Sequence, residues 1–218
     1  TVVERNVETG AFTVRNRGDS SRTLQCNFYE CADAIEPMSF NRGEPETDVW
    51  RPVIHGNPDF FDNLDPIKMS AALVRGRHES ASLFADVQLD KGAYRVGAYL
   101  WKEVGAANTS RATLEFRIGS HSMEGPDGIV IGDITPWAQQ GDSGWAWYEL
   151  AQIESDGSVQ RLRVSASVPS ERDKAFADMG RVVFVPAAWR DEGGPFGPKF
   201  SNQRFTLAAG EQTTFGVP

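Results

Sequence analysis

Cysteine is nearly absent from this chain: two occur in 218 residues, Cys26 and Cys31. That excludes a disulfide-dense scaffold. The pair has no histidine nearby and cannot make a zinc site. A small loop disulfide and two free thiols stand as equal readings. Histidine is almost as sparse, with only His55, His78 and His121, and no His-x-x-x-His pair. No Gly-x-Ser-x-Gly elbow is present. Gly193-Gly194-Pro195 puts proline where a phosphate cradle needs backbone donors, so it reads as a bend. No run of about 18 apolar residues exists, so no helix crosses a membrane. Helical periodicity is nearly missing as well; the best stretch, Ser170 to Met179, is polar and short. Positive charge is the minority: Lys plus Arg is 22 against 30 Asp plus Glu, a net charge of -8. An acidic surface repels phosphate backbones, which argues against nucleic acid as the main partner.

What the chain has in quantity is strand and turn signal. Gly 21 and Pro 12 accompany Phe 13 and Trp 6. The segment from Ala93 to Trp101 alternates: Tyr94, Val96, Ala98 and Leu100 share one face, and Arg95, Tyr99 and Trp101 the other. In Thr113 to Ile118, Leu114, Phe116 and Ile118 oppose Glu115 and Arg117. From Val159 to Val168, Leu162, Val164, Ala166 and Val168 oppose Arg161, Arg163, Ser165 and Ser167. One dry and one wet face per strand is the mark of an antiparallel sheet with one solvated side. Further strands are predicted at Phe12 to Arg15, Thr23 to Tyr29, Val49 to His55, Ala81 to Leu89, Gly128 to Ile131, Ala146 to Glu154 and Phe176 to Val185.

Turns punctuate them at Asn16-Arg17-Gly18-Asp19, Asp90-Lys91-Gly92 and Asp156-Gly157. Asp156-Gly157, between two good strands, is expected to close a hairpin. Cys31 to Asp48 reads as an irregular loop. The pattern predicts an all-β fold, an antiparallel β-sandwich or jelly roll.

From Val49 to Pro186 the order of pieces resembles a galactose-binding-like jelly roll, the architecture of many carbohydrate-binding modules. Asp48-Val49-Trp50-Arg51-Pro52 is similar to the family's Trp-x-Pro strand. Ala81 to Lys91 followed by Gly92 to Trp101 resembles its pair in which a strand ends at a Gly-x-x-Tyr turn and a Ser/Ala-rich strand follows. Trp147-Tyr148-Glu149-Leu150 is similar to its Trp-x-x-Leu strand, and Phe176-Ala177-Asp178-Met179 to its closing strand. The resemblance implies that Trp147 packs inward. Many relatives carry a structural calcium; Met179 stands where a second aspartate is common. The division expected is a domain over residues 1–186, including an N-terminal arm from Thr1 to Arg15, and a C-terminal extension over 187–218.

A flat indole stacks on the apolar C–H face of a sugar ring while polar neighbours take its hydroxyls. Tyr99 and Trp101 lie on a wet face. So do Glu115, Arg117 and Arg163, and if their strands are neighbours they form an aromatic-floored groove with charged walls. Trp137 and Trp145 flank a loop of Gln, Gly, Asp and Ser. The candidate ligand-binding set is therefore Tyr99, Trp101, Glu115, Arg117, Trp137, Trp145 and Arg163, with no catalytic residue. The loop Asp59 to Asp65 holds enough oxygen ligands for calcium but lacks EF-hand spacing. Asn108-Thr109-Ser110 is a glycosylation triplet in a loop.

The expected function is a non-catalytic, extracellular or cell-surface module that binds a glycan or polysaccharide. Its rival is a structural subunit of a filament, appendage or virion that self-associates through its terminal arms. A jelly-roll polysaccharide lyase or hydrolase ranks last.

Overall fold

A computed structural model of the chain describes residues 2–5, 12–28, 33–42, 49–53, 68–77, 79–105, 111–123, 127–169, 174–188 and 201–215. The chain divides into two compact units, residues 1–30 with 191–218, and residues 31–190. This differs from the division expected after Pro186. The physical reason lies in strand pairing: the two ends of the chain pair with each other, so neither is a simple appendage.

In the unit built from the chain ends, β1 (Val2–Arg5), β2 (Phe12–Arg15) and β17 (Gln212–Phe215) form one antiparallel sheet in the order β1-β2-β17. A second ladder pairs β3 (Arg22–Phe28) with β16 (Ser201–Leu207). Asn16 joins the turns between these strands and is fully buried. Its Nδ2 donates to the carbonyls of Ser20 at 2.7 Å, Leu207 at 3.1 Å and Ala208 at 3.1 Å. Its Oδ1 accepts from the Gly18 N–H at 3.0 Å. One short side chain thus satisfies groups from both chain ends, which a buried polar residue must do to be tolerated. Cys26 lies on β3; Cys31 falls outside the described residues.

The larger unit is a β-sandwich. Its strands are β4 (Asp33–Ile35), β5 (Asn41–Arg42), β6 (Trp50–Val53), β7 (Lys68–Val74), β8 (Ser80–Gln88), β9 (Gly92–Val104), β10 (Thr113–Ser120), β11 (Ile129–Ile134), β12 (Trp137–Ala138), β13 (Gly144–Ser155), β14 (Val159–Ser167) and β15 (Lys174–Pro186). One sheet has the order β11-β10-β14-β8-β5. The other runs β12-β9-β15-β7-β6, with β13 also on β9 and β4 also on β15. The expected all-β fold is observed. The only helical turn among the described residues is a 3-10 turn at Pro37–Ser39. Within the polar stretch that came nearest to a helix, Lys174 to Met179 is strand.

Alternation becomes burial directly. Ala81, Leu83, Ala85 and Val87 of β8, Leu114, Phe116 and Ile118 of β10, and Leu162, Val164 and Ala166 of β14 are all buried. They meet Tyr94, Val96, Ala98 and Leu100 of β9 and Ala175, Ala177 and Met179 of β15 in one continuous core. Trp50 is the largest side chain in it, 1% exposed, and its indole N–H donates across the sandwich to the Ala81 carbonyl at 3.2 Å.

One turn acts differently from expectation, and a second shares its geometry. Asp156-Gly157 joins β13 to β14, yet these strands lie in different sheets. The turn is a crossover between layers, not a hairpin. Asp90-Lys91-Gly92 does the same for β8 and β9. A tight turn fixes a reversal of direction, but packing decides whether the returning strand pairs or crosses to the facing sheet. The segment Cys31 to Asp48, expected to be irregular, contributes β4, β5 and the 3-10 turn where described.

Candidate functional site

The core-facing residues of β9 and β10 fix where their alternates point. Tyr94, Val96, Ala98 and Leu100 face inward from the larger sheet, so Tyr99, Trp101 and Glu103 face outward on that side. Leu114, Phe116 and Ile118 face inward from the smaller sheet, so Glu115 and Arg117 face outward on the opposite side. The single groove expected from the sequence does not exist, because β9 and β10 are not neighbours.

On the smaller sheet's outer face, Arg117 and Arg163 lie directly opposite one another. Like charges at such a position repel. Each is engaged elsewhere. Arg117 Nε donates to Glu115 at 2.6 Å, and Arg163 NH2 donates to the Ser82 hydroxyl at 2.9 Å. The Arg117 hydrogen bond holds the Glu115 carboxyl below its ordinary value. On this face Glu115 and Arg117 pair with each other, and Arg163 lies over the Phe84 ring at 5.9 Å.

The larger sheet's outer face is different. In the β9–β13 ladder, Trp145 is in register with Trp101, and Trp147 with Tyr99. Directly opposed residues in an antiparallel pair share a face, so four large rings come together. Tyr99 and Trp145 stack with centroids 5.2 Å apart and planes 23° from parallel. Tyr99 meets Trp147 at 4.9 Å, tilted by 38°. Trp101 meets Trp145 edge-on at 5.9 Å. All four are half-buried. Trp147 is therefore not a core residue, contrary to what the resemblance implies; Trp50 fills that role. Spacing alone points the right way, since Trp147 stands two residues from Trp145.

Gly180 of β15 makes room for this arrangement. A Cβ there would stand 3.1 Å from both Cδ1 and the backbone oxygen of Tyr99.

A polar network borders the rings. The Trp101 indole N–H donates to Glu103 Oε2 at 3.0 Å, and Arg111 NH2 donates to the same oxygen at 2.6 Å. Arg111 NH1 reaches Asp178 Oδ2 at 3.4 Å, which Lys68 Nζ approaches at 3.6 Å. Lys68 Nζ also lies over the Trp145 ring at 5.9 Å, within cation–π range. Glu103 is held below its ordinary value, first by the Arg111 hydrogen bond and then, against the opposing effect of burial, by that of Trp101. Lys68, Glu103, Arg111 and Asp178 carry no local sequence signal marking them as one group, because they come from distant parts of the chain. Only Glu103, two residues beyond Trp101, is placed by alternation.

Trp137 on β12 runs parallel to β9 beside Glu103. The indole N–H groups of Trp137 and Trp145 are buried without a partner among the described residues. Neither can serve a ligand hydroxyl; what these residues offer is ring surface. The structure thus brings Tyr99, Trp101 and Trp145 together with the unforeseen Trp147, sets Trp137 at the end of the same sheet, and separates Glu115, Arg117 and Arg163 from them. His55, His78, Asn108 and the loop Asp59 to Asp65 fall outside the described residues. Among the described residues no three His, Cys, Asp or Glu side chains gather as a metal site.

No protein-family model matches the chain, and no curated protein matches it. Solved structures similar to it include the carbohydrate-binding module TmCBM61 in complex with β-1,4-galactotriose. That likeness has 16% identity, covers 69% of this chain and 90% of that one, and gives a TM-score of 0.46. The insecticidal crystal protein Cry2Aa is similar at 10% identity over 70% of this chain and 21% of that one, with a TM-score of 0.45. A Podospora anserina GH26-CBM35 β-(1,4)-mannanase is similar at 12% identity over 80% of this chain and 29% of that one, with a TM-score of 0.33. The assignment of this chain as an all-β sandwich rests on its own strand pairings.

Proposed function

We propose that this chain is a non-catalytic carbohydrate-binding module and that its site is the outer face of the larger sheet. The observation that carries this reading is the cluster of Tyr99, Trp101, Trp145 and Trp147 on one solvated sheet face, bordered by Lys68, Glu103, Arg111 and Asp178. Aromatic rings supply apolar surface for the C–H faces of a pyranose, and ionised groups at their edge supply strong donors and acceptors for its hydroxyls. The rings are fixed by one another and by Gly180, so little ordering cost falls on binding. An extracellular or cell-surface setting suits a glycan target and belongs to the same proposal. The rival assembly reading needs a terminal arm that completes a neighbour's sheet. Here β2 pairs with the chain's own β17, from Phe12 with Phe215 to Arg15 with Gln212, so the arm's strand already has an intramolecular partner.

A glycan array followed by titration tests the proposal. Binding is expected in the micromolar to millimolar range, on the order of -4 to -8 kcal/mol, as suits an open sheet face. Trp101→Ala and Trp147→Ala each weaken it by roughly tenfold or more, and Arg117→Ala leaves it unchanged. Silence across the array, or loss through Arg117→Ala with the tryptophan variants intact, overturns the assignment.

A further inference from the structure

A second feature of the sandwich lies where the edges of its two sheets meet. At Gly132 of β11 the sheets touch: a Cβ there would come within 2.7 Å of Leu150 Cδ2 on β13. Toward the start of β11 a cleft of about 560 Å³ opens between the two strands, its walls including Ile118, Ile129, Ile131, Ala151, Ile153 and Gln160. That volume falls within the ordinary range of ligand sites.

Ile129 is the informative residue. It pairs with Ile118 across the β10–β11 ladder, so both belong to the sheet's inner face. Ile118 is 4% exposed, yet Ile129 is 73% exposed. Nothing among the described residues covers an inner-face isoleucine that sits at the mouth of an apolar cleft. Val130, on the outer face opposite Arg117, is 45% exposed.

β11 is also an edge strand, paired among the described residues only with β10. Edge strands are usually guarded by shortness, charge or proline. β5, at the far edge of the same sheet, has two residues, Asn41 and Arg42, and β6, at an edge of the larger sheet, carries Arg51 and Pro52. In β11 the one charge is Asp133, near its far end; the run Ile129-Val130-Ile131-Gly132 before it has no charge and no proline, and carries a bulge at Ile131. The cleft's rim is acidic, with Glu154 and Asp156 lining it and Asp127 exposed beside Gly128. Two cations approach this rim among the described residues: Lys91, close enough to Asp156 to act on its charge, and Arg117, which is paired with Glu115 and donates to the Gly128 carbonyl at 3.3 Å.

We propose that β11 and this cleft form a strand-accepting site for an extended, basic segment of another protein. The segment adds to the open edge of β11. Its alternate apolar side chains enter the cleft against Ile118, Ile129 and Ile153, and its Lys or Arg residues meet Glu154, Asp156 and Asp127. Backbone pairing gives affinity and the alternate side chains give selectivity, as in other strand additions. The acidic rim selects the occupant. A second copy of this chain, itself at a net charge of -8, would set like charge against like.

The probe is a synthetic peptide of about ten residues, roughly two strand lengths, in which valine and lysine alternate. The control has glutamate in place of every lysine. Isothermal titration is expected to show binding by the basic peptide and none by the acidic one. Amide exchange at Ile129 and Val130 slows in the complex. Ile129→Lys, at an exposed position that leaves the melting temperature unchanged, weakens binding at least about tenfold. Glu154→Lys weakens it severalfold. No binding of the basic peptide at about 1 mM, equal binding of the acidic peptide, or indifference to Ile129→Lys overturns the proposal. So does sedimentation showing a dimer that Ile129→Lys abolishes, which would give the edge to a second copy.

Discussion

Trp145 is in register with Trp101 across the β9–β13 ladder, but it stacks on Tyr99, one diagonal step away. The Tyr99 ring lies 5.2 Å from it and nearly parallel, while Trp101 presents its edge at 5.9 Å. Long aromatic side chains can reach diagonal neighbours in this way. The consequence is that Trp145 is held by three groups, Tyr99, Trp101 and Lys68, and acts as the hub of the platform. Trp147 joins it through Tyr99, which it meets at 4.9 Å.

The stacking depends on the space left by Gly180. Gly180→Ala puts a methyl 3.1 Å from the Tyr99 backbone oxygen as well as from its ring, and backbone cannot step aside as a side-chain tip can. The expected outcome is a loss of about 1–3 kcal/mol in stability from overpacking, with a change in the near-ultraviolet circular dichroism of the stacked rings and weaker glycan binding. An unaltered aromatic spectrum would show that Gly180 does not set the ring geometry.

The tryptophans divide by role, and melting separates them. Trp50→Ala removes a side chain 1% exposed and is expected to cost about 3–5 kcal/mol. Trp50→Phe keeps much of the ring and loses chiefly the hydrogen bond to the Ala81 carbonyl, about 1 kcal/mol, plus the cost of that unpaired acceptor. Trp147→Ala on the half-buried outer face costs clearly less than Trp50→Ala. Equal losses for Trp50 and Trp147 would contradict the placement of Trp147 outside the core.

Acid provides a third test. The Glu103 carboxyl is depressed from its ordinary value of 4.5, chiefly by Arg111. A carboxylate with a lowered folded-state value contributes stability that is complete above the unfolded value. That contribution is lost as the pH falls through the folded value. The tryptophan signal and glycan affinity are therefore expected to hold steady down to about pH 4.5 and to change below it, as protonated Glu103 releases Arg111 and the Trp101 indole. Glu103→Gln shows the altered signal at neutral pH and loses the acid step. Glu115, also depressed, lies on the opposite sheet face and should not report in the aromatic spectrum. A Glu103→Gln protein that keeps the full acid transition would assign it to another group.

The sequence by itself determined which face of each strand is dry. Alternation is a local property with a period of two, fixed by the backbone, so Leu100 against Trp101 and Phe116 against Arg117 were legible from spacing. It also placed Tyr99 and Trp101 on a wet strand face, whereas Trp145, read beside a loop, and Glu103, beyond the predicted strand, joined them only because both strands run longer than spacing suggested. What spacing could not carry is which strand lies beside which. A turn such as Asp156-Gly157 has the same local chemistry whether the chain returns as a hairpin or crosses to the facing sheet. Only the tertiary structure decided that β9 and β10 belong to different layers, sending Glu115 and Arg117 to the far side of the sandwich from Trp101. Only it gathered Lys68, Arg111 and Asp178, from three separate stretches of chain, around the rings. The reason is physical: side-chain direction is set by neighbouring peptide units, whereas strand partners are chosen by the joint packing of many inner faces into one core, an energy shared among residues far apart in sequence.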